Sequence, residues 1–341
     1  MTRVRSRVAL MASVLFSCSL TVAAARYASG AVNGAVPAFC QASGPIVANG
    51  ISAPLRLSTC PVQGRALVIR FADGHVGAGV HVPAPGRTEG NATLTTSGEY
   101  ELSASNSNGY LTVRVSTPLT QPTSFANADA ACGQSAFNLE GPYWYSDSSA
   151  AMDYWYYNQA TAGRAGLSVS ASTADLRSAN GDLTNGMNNC GFAENALAVH
   201  GAYQGNTGRF ANVDSGGDCT SNFPDGQNTV SFGWLDSSQY NQGTHMGTLA
   251  VTCWIANGSY MSEADTYLGS NVGLTDSLPS GCTFQEDLET IMTHEWGHAY
   301  GLAHETSGSA EVMYPNRPWC QVRVHLGLGD YDGLTALYGF A

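Results

Sequence analysis

Apolar positions recur every second residue in one part of this chain and at helical spacing of about 3.6 in another, and that division predicts its elements. Near the N-terminus, "ALVIRF" (66–71), "VGAGVHV" (76–82) and "EYELSA" (99–104) read as strands. So does "YLTVRVS" (110–116), where Leu111, Val113 and Val115 alternate with Thr112 and Arg114. Asn108-Gly109 separates the last two runs, and Asn-Gly suits a tight hairpin because both turn positions take positive φ. Residues 33–118 are therefore expected to form a small antiparallel β domain, or else a removable propeptide. Residues 119–139, within a stretch carrying two prolines and many small polar residues, are expected to link it to the C-terminal part of the chain.

The remaining chain mixes both periods. "ALAVHGAY" (196–203), "NTVSFGWL" (228–235) and "TLAVTCWI" (248–255) are apolar, β-prone runs. Asn257-Gly258 then turns the chain into "SYMSEADTYLG" (259–269), read as the return strand of a hairpin. A helix over 173–190 is weakened by Gly181 and Gly186. A stronger one is predicted from Thr283 and Glu286, a capping-box pair, through Leu288, Ile291 and Met292 to a stop at Gly301. A last short helix over 330–339 takes Asp330 as its cap. Strands and helices in this arrangement predict an α+β fold.

Composition narrows the function. The 341 residues carry a net charge of -12, which excludes nucleic acid and anionic membrane surfaces as natural partners. Only 12% of residues are charged, as suits a loop-rich exported protein. Arg3, Arg5 and Arg7 precede an apolar stretch that ends in small residues at Ala23 and Ala25, so residues 1–25 read as a signal peptide. A membrane anchor is one alternative, and lipid attachment at Cys18 in "LFSC" is another. Beyond the signal eight cysteines remain, an even number that suggests up to four disulfides in an oxidising compartment. Cys40 with Cys60 is the favoured local pair, and Cys282 with Cys320 would tie a helix start to a later loop. The expected product is a secreted monomer without stable membrane insertion.

The densest chemistry lies in "MTHEWGHAYGLAHE" (292–305). His294 and His298 are four residues apart, so on a helix their imidazoles face a common point. Glu295 sits one position round, next to that point. His304 joins only if the chain bends back, and Gly301 supplies the bend. Two helical histidines, a third beyond a turn and a carboxylate beside them make a zinc site that leaves one position to water. A structural zinc site and an ordinary helix with an accidental pattern are the alternatives.

"HEWGHAYGLAH" resembles the HExxHxxGxxH signature of the metzincin zinc endopeptidases, and "EVMYP", with Met313, resembles their Met-turn in its matrixin form. "DGQNTVSFG" (225–233), "SEADTYL" (262–268) and "YDGLTALYG" (331–339) are also similar to matrixin catalytic domains, so the resemblance covers residues 140–341. It implies a metzincin-like catalytic domain, a twisted mixed sheet with an active-site helix and a small C-terminal subdomain. It implies Zn2+ held by His294, His298 and His304, with Glu295 as general base. The substrate would be a protein or peptide, extended along an edge strand near residues 259–268. Residues from Met313 to Trp319, Arg317 among them, would wall a side-chain pocket. Glu305 departs from the matrixin pattern towards astacin-like enzymes, and no matrixin latency sequence is present. Cys132 either caps the metal in a latent form or, as parity favours, joins a disulfide. The loop 212–226 could hold Ca2+ through Asp214, Asp218 or Asp225, or be an ordinary solvated loop. His200, His245 and His325 read as core or surface residues. The rival reading is a secreted zinc-containing binding or surface protein without peptidase activity.

Overall fold

A computed structural model describes residues 36–340, apart from 73, 75, 97, 117–127, 146–153, 196, 236–246, 308–309 and 316–318. Residues 1–25, expected as a signal peptide, and Cys18, His245 and Arg317 fall outside the described residues.

The N-terminal part supplies β1 (Ile46–Val47), β2 (Leu55–Arg56), β3 (Ala66–Arg70), β4 (Val76–His81), β5 (Arg87–Thr95), β6 (Gly98–Ser107) and β7 (Tyr110–Ser116). Next come β8 (Asn138–Leu139), β9 (Trp155–Tyr157) and helix α1 (Val169–Thr184). Strands β10 (Tyr203–Asn206), β11 (Asn228–Gly233), β12 (Thr248–Asn257) and β13 (Tyr260–Gly269) come after them. The chain closes with β14 (Leu274–Thr275), β15 (Glu286–Asp287), α2 (Leu288–Ala299), β16 (Leu302–Ala303) and α3 (Leu328–Tyr338). This is the α+β mixture that the pattern predicts.

One nine-stranded sheet dominates, in the order β10-β9-β11-β13-β12-β5-β6-β7-β2. Pairings are parallel from β10 to β13 and antiparallel from β13 onward. The N-terminal strands therefore do not close on themselves as the small separate sheet expected from their spacing. Instead β5 pairs with β12 from Arg87↔Asn257 to Thr95↔Thr248. The segment "RTEGNATLT" was not legible as a strand, because its buried side chains include Asn91, Thr93 and Thr95. Asn91 Nδ2 donates to the distant Gly217 O at 2.9 Å, while Thr93 donates to Asn91 Oδ1 and Thr95 to Gly98 O.

The sheet has a core on each face. On one side Ala250, Trp254 and Ala256 of β12 pack with Trp296 of α2, Leu176 of α1 and Leu334 of α3. On the other, Val251, Cys253 and Ile255 pack with Leu67, Val80 and Leu102 of the N-terminal strands. A strand covered on both faces has no polar side to show, and so "TLAVTCWI" reads as an unbroken apolar run. The small sheet β1-β3-β4 lies over the second core. Strand β13 lies between β11 and β12, so the edge expected near residues 259–268 is an interior position.

Local signals explain several boundaries. Asn108 (φ 52°) and Gly109 (φ 79°) form the predicted β6–β7 turn. Helix α1 starts earlier than residue 173, because Ser168 Oγ accepts the Ala171 N–H at 3.1 Å and caps it. Helix α2 starts later than Thr283. Glu286 and Asp287 first pair with Leu274 and Thr275, and Asp287 then caps the helix by accepting from Thr290 N at 2.9 Å. Asp330 lies inside α3, whose cap position is Gly327, but its carboxylate accepts the Gly327 N–H at 3.0 Å. The run 196–203 is mostly not a strand. A Cβ on Gly201 would strike the Tyr300 hydroxyl, so this stretch lies against α2.

Four disulfides occur among the described residues: Cys40–Cys60, Cys132–Cys190, Cys219–Cys253 and Cys282–Cys320. Both expected pairs form, and Cys132 is bonded to Cys190 rather than free to act as a latency thiol.

The β5–β12 junction is testable at Gly90, which pairs with Trp254. A Cβ there would collide with the fully buried indole ring. Gly90→Ala should cost about 1–3 kcal/mol, the usual range for overpacking. Urea unfolding followed by fluorescence checks it, and an unchanged midpoint would contradict the pairing.

Candidate metal centre

Helix α2 is buried on almost every side, with only Glu289 partly exposed, so both of its histidines project into protein rather than solvent. The helix ends at Tyr300, and Gly301 comes next with φ 94°, in the left-handed region. A side chain at Gly301 would also strike the Pro142 carbonyl oxygen. Position 301 therefore requires glycine twice over. Past the bend, β16 pairs with β8 and Asn138 Nδ2 donates to His304 O at 2.8 Å, which fixes the returning segment. The structure thus brings His294, His298 and His304 together.

The three imidazoles meet through their Nε2 atoms. His294 Nε2 and His298 Nε2 lie 3.1 Å apart. Each Nδ1 is engaged elsewhere: His294 with Val312 O at 2.6 Å, His298 with Leu302 O at 3.0 Å, and His304 with Glu101 Oε1 at 3.0 Å. Where Nδ1–H donates to a carbonyl, Nε2 is left with its lone pair pointing inward. Inside the ring of lone pairs sits the carboxylate of Glu99, which sequence reasoning missed. Its oxygens lie 2.5 Å from His294 Nε2, 2.9 Å from His298 Nε2 and 2.5 Å from His304 Nε2. All four side chains are buried.

This donor set fits a zinc ion. Acceptors facing acceptors in a dry pocket need a cation between them. Two nitrogens bound to one tetrahedral zinc at about 2.0–2.1 Å are separated by about 3.3–3.4 Å, near the spacing seen here. The side chains' own charges point the same way. Burial alone would raise the Glu99 carboxyl, but the three imidazoles outweigh it and hold it well below the usual range. Burial alone would lower His298 and His304, but the Glu99 charge and the Glu140 contact push His298 well above its ordinary value, and the Glu101 and Glu99 charges push His304 up to about 9. Protons gathered in this way are those that a bound metal displaces.

Glu295 is fully buried beside this cluster but outside the group of converging atoms. Its Oε2 accepts the Thr252 hydroxyl of β12 at 2.5 Å, and Thr252 Oγ1 lies 3.0 Å from Thr266 Oγ1. Glu140, also unforeseen, places Oε1 3.3 Å from His298 Nδ1; burial and then the Glu101 charge push its carboxyl up to about 7. The signal for Glu99 and Glu101 was present but unread, as two carboxylates alternating with Tyr100 and Leu102 on "GEYELSA".

Met313 lies under the helix. A Cβ on Gly297, between the first two histidines, would collide with Met313 Sδ. The turn that carries Met313 is held by Asp330, which accepts from Val312 N at 2.6 Å and Met313 N at 3.0 Å. Glu311 supports it from below, accepting from Asp330 N at 3.3 Å. Burial, then the Asp330 charge, push the Glu311 carboxyl up to about 9.

The other expected sites use their groups differently. Asp214 Oδ1 accepts from Gly216 N and Asp218 N, Asp218 accepts from Gly79 N, and Asp225 pairs with Arg209 at 3.1 Å. Asp214 thus closes its own loop, while Asp218 and Asp225 tie it to β4 and to Arg209. Among the described residues, the groups able to hold a metal gather only at Glu99, His294, His298 and His304 and at the adjoining Glu101, Glu140 and His298. His200 is exposed, and His325 lies 3.9 Å from Asp182.

Helix, glycine bend, three converging imidazoles and an underlying methionine define a metzincin-type centre. A family model for Matrixin matches residues 65–339, and the chain belongs to that family. It is similar to Metalloendoproteinase 1-MMP of Arabidopsis thaliana, with 36% identity over 95 residues, 28% of this chain and 24% of that protein. It is similar also to Metalloendoproteinase 1 of Glycine max (39% over 77 residues, 23% of this chain and 24% of that one). Matrix metalloproteinase-20 of Homo sapiens shares 46% over 54 residues, 16% of this chain and 11% of that one. The chain thus spans about a quarter or less of the length of these relatives.

The geometry has two testable consequences. His304→Ala removes one Nε2 and should weaken zinc affinity by at least about tenfold, as loss of outer support alone already costs about 10–100-fold. Competition with a chromophoric chelator measures this, and unchanged affinity would remove His304 from the ligand set. Glu311 titrates near 4.5 when unfolded and about 9 when folded, so between those values the folded chain holds the extra proton. Stability should therefore fall as pH rises through that window. Glu311→Gln should flatten the slope of urea midpoints between about pH 6 and 9, and equal slopes would contradict the assignment.

Proposed function

We propose that the chain is a secreted zinc endopeptidase in which His294, His298 and His304 hold the metal and Glu295 is the general base. The observation that carries this reading is the convergence of three buried Nε2 atoms beside a buried carboxylate tethered to the sheet. The names of the relatives, metalloendoproteinases and a matrix metalloproteinase, support it. Four disulfides fit export into an oxidising compartment. No helix among the described residues is long and apolar enough to cross a membrane.

When bound, zinc supplies Lewis acidity towards a scissile carbonyl and acidifies a water. The protein's own part is to position and to move a proton. The Nδ1 contacts to Val312 O and Leu302 O lock two rings with Nε2 inward. Thr252 fixes one oxygen of Glu295, leaving Glu295 to take a proton from water and return it to the leaving amine. An extended peptide substrate would add to the sheet at β12, which with β10 bounds the strands of the 140–341 part, rather than at β13. Residues 33–118 would then be a covering region, joined to the catalytic part through 119–139.

The secreted active form should hydrolyse casein or gelatin and stop when a chelator is added. Glu295→Gln should keep its zinc but lose about 10²–10⁴-fold in rate, the range for a general base. Near-normal hydrolysis by that variant, with zinc bound, would remove Glu295 from this role.

A further inference from the structure

Glu99 stands at the point where the three imidazoles converge. Its carboxylate is fully buried, comes from about two hundred positions upstream, and stands among three imidazole nitrogens at 2.5–2.9 Å. Desolvating a carboxylate costs several kcal/mol, so a cation must compensate. The backbone that delivers it is firmly held. Thr95 pairs with Gly98 across the β5–β6 hairpin, and Thr95 Oγ1 donates to Gly98 O at 2.5 Å. Thr96 exchanges hydrogen bonds with Gly247, one position before β12. Its N–H donates to Gly247 O at 3.0 Å, and its Oγ1 accepts the Gly247 N–H at 3.0 Å. Two residues beyond Glu99, Glu101 Oε1 accepts the His304 backbone N–H at 2.9 Å.

The same hairpin takes the strand position that an extended substrate requires. Strand β12 is paired on one side with β13 and along its other side with β5. A peptide adding to β12 would need the backbone groups that β5 already uses.

We propose that Glu99 is the fourth protein ligand of the metal and that the β5–β6 hairpin is a built-in inhibitor, closing the coordination sphere and covering the substrate's edge together. This rests on the metal centre proposed for the three histidines. Three imidazoles and one carboxylate complete a tetrahedral zinc sphere, the closed state of a structural site rather than the open state of a catalytic one. Hydrolysis then requires the hairpin to leave, which frees a coordination position and the β12 edge in one event. The carboxylate does what a latency cysteine would do, and Cys132 is unavailable for that task because it is bonded to Cys190.

The test uses the full exported chain with cobalt(II) in place of zinc, titrated with acetohydroxamate and read by visible absorption. The wild type should resist the titrant. Glu99→Ala should bind it at least about tenfold more tightly, since a tethered ligand competes at millimolar effective concentration or above. Glu99→Gln, which keeps the shape, should fall between them, and it carries the test if Glu99→Ala does not fold. Equal midpoints for wild type and Glu99→Gln, each with one cobalt bound, would overturn the proposal and leave the metal centre standing. Failure of the wild-type chain to take up cobalt would sink the metal centre, and the proposal with it.

Discussion

Everything at this centre depends on lone pairs that face one another in a place water does not reach. Val312 O and Leu302 O hold the rings of His294 and His298 by Nδ1, so their basic nitrogens turn inward to within 3.1 Å of each other. The Glu99 carboxylate adds two more acceptors to the same point. Such an arrangement is unfavourable unless positive charge sits within it. The helix, the glycine at 301 and the Met313 turn can all be read as the scaffold that keeps these groups from relaxing apart.

The scaffold is continuous with the N-terminal strands. Because β12 is covered on both faces and paired along both edges, the two parts of the chain share one sheet and its second core. Strand β6, which carries Glu99 and Glu101, is thus held through β5 to β12 in the same sheet. An inhibitor built in this way has backbone hydrogen bonds for affinity and one carboxylate for aim. Removing it would expose an edge and an apolar face, so latency and stability are linked in this molecule.

Legibility in the sequence tracks the range of the interactions. The histidine clamp was legible because helical spacing and one glycine define it locally. Asn108-Gly109 and the alternation at 110–116 were legible for the same reason. Strand β5 was not, since its buried Asn91, Thr93 and Thr95 break the apolar alternation, and Asn91 is satisfied by Gly217, more than a hundred positions away. The start of α2 was misplaced because the β14–β15 pairing takes up residues that a capping box would have used. Residues 259–268 read as an edge, yet β13 lies between β11 and β12, because strand order depends on long-range pairing. Glu99 was hidden for a related cause: its partners lie 195 and 199 positions along the chain.

The most direct test of the central claim is anomalous X-ray diffraction from crystals of the protein, measured on both sides of the zinc absorption edge. A single strong peak is expected, enclosed by the Nε2 atoms of His294, His298 and His304, with a Glu99 oxygen as the remaining neighbour. A map with no peak there, or imidazoles splayed away from a common point, would contradict it.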